Sequence, residues 1–149
     1  MTPPMHFSAT FPARMSALSD AVVFLEQSAL AAALPSAAAL KLAFTLEELF
    51  TNTVQHGFGG DSEHPVTVVI QVSPTEVTLD YTDDAPPFNP IAQADTLSHG
   101  DLSVSLERRG IGGLGVFVSC QLANQTAYER RDGHNQTRFA FWLERARAT

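Results

Sequence analysis

Hydrophobic positions recur along this chain with two different periods, and the changes between them mark out its elements. MHFSATFP alternates loosely up to Pro12 and reads as an edge strand, because proline has no amide hydrogen to give a neighbouring strand. Residues 16–33 carry helical spacing and stop ahead of Pro35, and the alanine-rich run at 29–39 reads as helix rather than linker. Ser36 is placed as the N-cap of a second helix from Ala37 to His56, closed by Gly57 and the GFGG turn. The period then changes. VTVVIQV and EVTLDYT are β-rich runs separated by SPT, which predicts a hairpin. Residues 83–113, rich in proline and polar turn formers, read as one long loop of the kind that usually carries function. LGVFVSCQLA predicts a third helix. ERRDGHNQTRFAFWLE predicts a strand, a turn at Asp132-Gly133 and a last strand with Phe139, Phe141 and Leu143 on one face. The order predicts an α+β fold of two layers, with helices over one face of a sheet.

Length and composition narrow the possibilities. A chain of 149 residues, 44% hydrophobic and 17% charged, holds one core and is short for two, so a single domain over 1–149 is expected. Cys120 is the sole cysteine, which excludes an internal disulfide and a thiol-paired zinc site. It reads as a small core residue on the third helix, and Trp142 reads as core or dimer contact rather than as a ligand contact. The most apolar window, AVVFLEQSALAAAL, is broken by Glu26 and Gln27, so no membrane span is expected and a cytoplasmic location is. A net charge of −7 argues against a nucleic-acid partner and accords with protein partners that carry basic patches.

The second helix carries the first sign of chemistry. At about 100° per residue, Leu42, Leu46, Leu49, Phe50 and Thr53 share one side, with Ala39 and Ala43 beside them. Glu48 and Asn52, about 40° apart, share the other with Lys41, Thr45, Gln55 and His56. That face reads either as solvated surface or as a metal-phosphate site: an amide oxygen can hold Mg²⁺, and a carboxylate can orient or deprotonate a nucleophile. His56, at a helix C-terminus, reads as structural because the dipole favours it there. Two further stretches have the same double character. DYTDDAPPFNP puts acids at a strand end, as turn formers or as acceptors for the exocyclic amine of adenine. ERRGIGGLGVF sets Gly110, Gly112, Gly113 and Gly115 before a helix, as a turn or as an approach for phosphates to backbone amides.

The order ELFTN, DDAPPF, RRGIGGLG resembles the GHKL ATPase superfamily, whose ATP site combines an N box on a helix with two glycine boxes flanking a lid. Within it, the chain most resembles the small serine-protein kinases that act as anti-sigma factors in bacterial partner switching. The resemblance covers nearly the whole chain and implies a two-layer α/β sandwich of the GHKL (Bergerat) type, with a mixed, mostly antiparallel sheet. It implies an ATP- and Mg²⁺-dependent serine/threonine kinase that phosphorylates a small STAS-type anti-sigma-factor antagonist. The same protein would sequester a sigma factor or an equivalent regulator, and would form a homodimer. Glu48 would be the general base or orienting carboxylate, Asn52 the Mg²⁺ ligand, and Asp83 the reader of the adenine amine. Arg108, with Arg109 adjacent, would contact the terminal phosphate. Gly110, Ile111, Gly112, Gly113, Leu114 and Gly115 would form the phosphate-side wall, about 89–109 the lid, and Thr137 the last-strand threonine near adenine. Two positions depart from the pattern: Ala85 stands where the family usually has glycine, and Asn124 where many relatives have aspartate. Ala85 keeps a different reading open, a non-catalytic nucleotide-binding module that sequesters a regulatory partner. A detached ATPase half of a sensor histidine kinase fits less well, since only about 15 residues precede the first predicted helix.

Overall fold

The computed structural model describes residues 4–99 and 114–144, the side chains of 95–99 excepted, and five strands and four α-helices lie among the described residues. Strand β1 (Met5–Pro12) leads through a short 3₁₀ turn (Met15–Ala17) into α1 (Leu18–Ala31) and α2 (Ser36–Asn52). Strands β2 (Pro65–Val72) and β3 (Glu76–Asp83) follow, then α3 (Pro90–His99), α4 (Leu114–Leu122), β4 (Gln125–Arg131) and β5 (His134–Trp142). The sheet runs in the order β1-β2-β3-β5-β4, and all four pairings are antiparallel rather than mixed. β1 is an edge strand, as its terminal proline implied.

Alternation puts one face of each central strand inside. Val66, Val68, Ile70 and Val72 of β2 and Val77, Leu79 and Tyr81 of β3 meet Phe139 and Phe141 of β5 beneath the helices. Leu42, Leu46, Leu49 and Phe50 of α2, and Thr53 just past its end, are buried against them, so the predicted inner side of that helix is the observed one. Thr82, Asp80 and Thr78 face the other way, opposite Gln136, Arg138 and Ala140, and no described helix covers that side. Trp142 lies on this open face and is 60% exposed, so it is not a core residue. Cys120 is partly buried and packs against the core.

Other expectations need adjusting at the element ends. Pro35, not Ser36, occupies the N-cap; its extended φ of −58° and ψ of 146° leaves Ser36 as the first helical residue. The α-helix of α2 ends at Asn52 and continues as a π turn through Thr53–Gly57 rather than as helix to His56. Here Thr53 Oγ1 lies 3.0 Å from Leu49 O, and a hydroxyl crowding the last carbonyls of the helix loosens the backbone ladder. The stretch 83–113 is not one loop. Asp83 closes β3, and Asn89 Oδ1 accepts from the amides of Ile91 and Ala92, both at 3.0 Å, capping α3. Asp132 and Gly133, with φ of 51° and 78°, make the predicted two-residue turn, whose left-handed backbone matches strand twist.

Candidate functional site

Asp83 and the π turn of α2 meet at the edge of the core. Asp83 is 7% exposed and its carboxylate is filled from three sides. Oδ1 accepts from Asn135 Nδ2 at 2.9 Å and from the Ala85 amide at 3.1 Å, and Oδ2 accepts from Thr53 Oγ1 at 2.8 Å. Thr53 in turn lies 2.7 Å from the Tyr81 hydroxyl. Each hydroxyl has one proton, so Thr53 donates to Asp83 while Tyr81 donates to Thr53. Burial holds the Tyr81 phenol well above its ordinary 10, and it therefore stays a donor.

A cavity of about 30 Å³ lies among these groups, lined on its polar side by Asn52, Thr53, Asp83, Asn135 and Thr137. It has room for a single water and not for a purine, and Phe88 and Pro90 form part of its wall. Thr137 belongs to this wall as expected, and Ala85 does too. The alanine is accommodated by a distant glycine: a Cβ placed on Gly57 would lie 3.0 Å from the Ala85 methyl, so Gly57 leaves the space that Ala85 fills. The carbonyl of Ala85 accepts from Arg130 Nη1 at 2.7 Å, which ties the segment to β4.

Glu48 and Asn52 occupy the neighbouring face of α2. They are not a freely solvated surface, because α4 packs across α2 and leaves both side chains half-buried, with Thr45 fully buried beside them. Thr45 was expected on the open side; its hydroxyl donates to Lys41 O at 2.8 Å, which satisfies it inside. Gly115 in the first turn of α4 lies against Glu48 so closely that a Cβ there would overlap the Glu48 carboxyl group. Loss of water around it, and then the charge of Glu47, raise the Glu48 carboxyl above its ordinary 4.5. Leu114 lies half-exposed at the start of the same helix. Arg108, Arg109, Gly110, Ile111, Gly112, Gly113 and the later part of the expected lid lie outside the described residues.

Sequence reasoning passed over Thr53, Tyr81 and Asn135 as site residues, and treated Thr53 only as core. Asn135 stands opposite Asp83 in the β3–β5 register, a pairing invisible until the two strands are known to be neighbours. Asn124 Oδ1 accepts from the Trp142 amide at 2.8 Å and so satisfies the backbone of β5 near its end.

Among the described residues no three acidic, histidine or cysteine side chains cluster to hold an ion. Asn52 offers one amide oxygen at the cavity wall, which suits Mg²⁺ carried mainly by nucleotide phosphates and water.

A family model for the histidine kinase-like ATPase domain matches residues 11–141. No match is found among curated proteins. Among solved structures, the chain is similar to the crystal structure of the RsbU and RsbW domains of Rv1364c from Mycobacterium tuberculosis. The two are 17% identical, the likeness covers 97% of this chain, and the TM-score is 0.59. This chain spans 34% of the length of that one, and at this identity the likeness speaks for the fold. With the sheet, the helical layer and the match over nearly its full length in agreement, the chain belongs to the family of histidine kinase-like ATPase domains.

Proposed function

We propose that the protein is an ATP-dependent protein kinase that phosphorylates a serine or threonine on a small STAS-type antagonist and, in its other state, sequesters a sigma factor or an equivalent regulator. The observation that carries this reading is Glu48, a partly desolvated carboxylate one helical turn from Asn52, which lines the same cavity as Asp83. A pure binding module has no chemical need for a carboxylate kept short of water at that place.

Asp83 would take the exocyclic amine of adenine, and Asn52 would hold Mg²⁺ beside the phosphates, where the ion supplies charge neutralisation. Glu48 would accept the proton of the target hydroxyl as that oxygen forms its bond to the terminal phosphorus and the bond to the bridging oxygen of ADP breaks. Arg108 and the glycines before α4 would meet the transferring group. The base reaches Asp83 only when the Phe88–Pro90 rim moves outward, since the cavity is far smaller than a purine ring. A transferred phosphate brings about two negative charges at neutral pH. This protein's net charge of −7 then disfavours the phosphorylated antagonist, a physical reason for its release.

The narrow cavity favours one competing reading, a sequestering module that has kept the shape of a kinase. Intact-mass spectrometry on the protein with Mg²⁺-ATP and a STAS-type domain from the same genome separates the two. The kinase reading expects one added phosphate on serine or threonine, absent with Glu48→Ala. A stable complex with no phosphate gained would replace it with the sequestering module.

A further inference from the structure

Asn135 is 4% exposed, yet its carboxamide is engaged on both sides. The two hydrogens on Nδ2 are divided among Asp83 Oδ1 at 2.9 Å and the carbonyls of Pro86 at 3.1 Å and Ala85 at 3.2 Å, which share one of them. Oδ1 accepts from the Phe88 amide at 3.1 Å and from the Tyr128 hydroxyl at 2.5 Å. One side chain thus fixes the Asp83 carboxylate and the backbone from Ala85 to Phe88 together.

Few residue types could replace it. A carboxylate would have no hydrogens for Asp83 or for the two carbonyls, and a hydrocarbon would leave donors and acceptors unpaired in a buried place. The anchoring matters for Asp83 in particular, because rotation about the last torsion of an aspartate is soft and its partners must set the direction. With Oδ1 filled by Asn135 and the Ala85 amide, and Oδ2 taking one bond from Thr53, lone-pair counting leaves acceptor capacity on Oδ2 of a residue that lines the cavity.

We infer that Asn135 is a positioning residue that gives the pocket its base selectivity. It holds Asp83 so that the free acceptor on Oδ2 meets a purine bearing a 6-amino group and rejects one bearing a 6-oxo group. This rests on the reading of Asp83 as the residue that recognises the base. The energetic logic is that a fixed acceptor facing a carbonyl oxygen leaves both unpaired, whereas a swivelling one relaxes away from the mismatch.

The test compares the affinities of ATP and inosine triphosphate by calorimetry on the wild-type protein, Asn135→Ala and Tyr128→Phe, each first checked for cooperative melting. ATP binding is expected to weaken about tenfold in Asn135→Ala and about threefold in Tyr128→Phe, the size of one buried hydrogen bond or part of one. Inosine triphosphate, which has no amine for Asp83, should change less than about twofold, so the ratio of the two affinities collapses. A merely structural asparagine would weaken both nucleotides in equal proportion, and that result overturns the inference. Should Asn135→Ala fail to fold, Tyr128→Phe decides alone, since it removes only the hydroxyl that steadies Oδ1; an unchanged ratio there also overturns it. A wild-type protein that does not distinguish the two nucleotides overturns the reading of Asp83 itself, whereas discrimination that survives in the variants overturns the role of Asn135 alone.

Discussion

The two ends of the site are built in opposite ways. Around Asp83 the restraint is a hydrogen-bond network: Thr53, Tyr81, Tyr128, Asn135 and the backbone of Ala85 and Phe88 form one connected set in a buried place. Around Glu48 the restraint is contact, the carboxyl group pressed against Gly115 of α4 and half-covered by it. A buried network holds a direction at rest, because each unpaired member would cost about 1–3 kcal/mol. A packed contact holds a position but leaves the charge ready to change partners. The contrast suits the proposed roles, in which Asp83 would recognise the base and Glu48 would act on the target hydroxyl.

The largest effect should come from the reactive end. Glu48→Ala is expected to lower phosphotransfer by about 10²–10⁴ and to leave nucleotide affinity within a few-fold, whereas Asn52→Ala weakens Mg²⁺-ATP itself. Equal loss of binding in both variants would erase the division between the two ends. At the base end the cost should appear as stability too. Asp83→Ala strands the donors of Asn135, Thr53 and Ala85, and denaturant titration should show a loss of about 1–3 kcal/mol alongside lost ATP binding. Glu48→Ala should melt close to wild type.

A smaller effect probes the fit between Gly57 and Ala85. Gly57→Ala puts two methyls within 3.0 Å and should cost about 1 kcal/mol, recovered when Ala85→Gly is added. A melting curve unchanged by Gly57→Ala would show that the loop gives way freely. The smallest effect is the pH response of Glu48. Burial first, and Glu47 second, raise its carboxyl above 4.5. The base form is then lost as pH falls through the raised value, so the acid limb of phosphotransfer should lie above pH 4.5. Stability has the opposite sign. The native state holds this proton more tightly than the unfolded chain does, so the Glu48 contribution falls as pH rises from 4.5 through the raised value. Denaturant titrations of wild type and Glu48→Gln over that range should differ in this direction.

Periodicity decided much of the fold before any coordinate. Val66, Val68 and Ile70 alternate, Leu42, Leu46 and Leu49 recur at helical spacing, and Asp132-Gly133 takes the positive φ its turn needs. These are local consequences of two repeat lengths and of glycine's freedom, so a sequence carries them openly. The helix α3 was hidden because Pro90 and its polar neighbours look like loop until Asn89 is seen to cap them. Glu48, Asn52 and Asp83 were legible as residue types suited to nucleotide chemistry, but the face that holds Glu48 and Asn52 also read as solvated surface. Only the packing of α4 over α2 removed free solvation there, by taking water from one side of Glu48. Asn135 was not legible at all: it lies 52 positions from Asp83, and nothing local announces that β5 pairs with β3. The sequence by itself determined which segments coil and which extend, because those choices rest on neighbours along the chain. Which polar side chains meet in the dark of the core was left to the tertiary structure, because strand order and helix packing bring together groups that share no local signal.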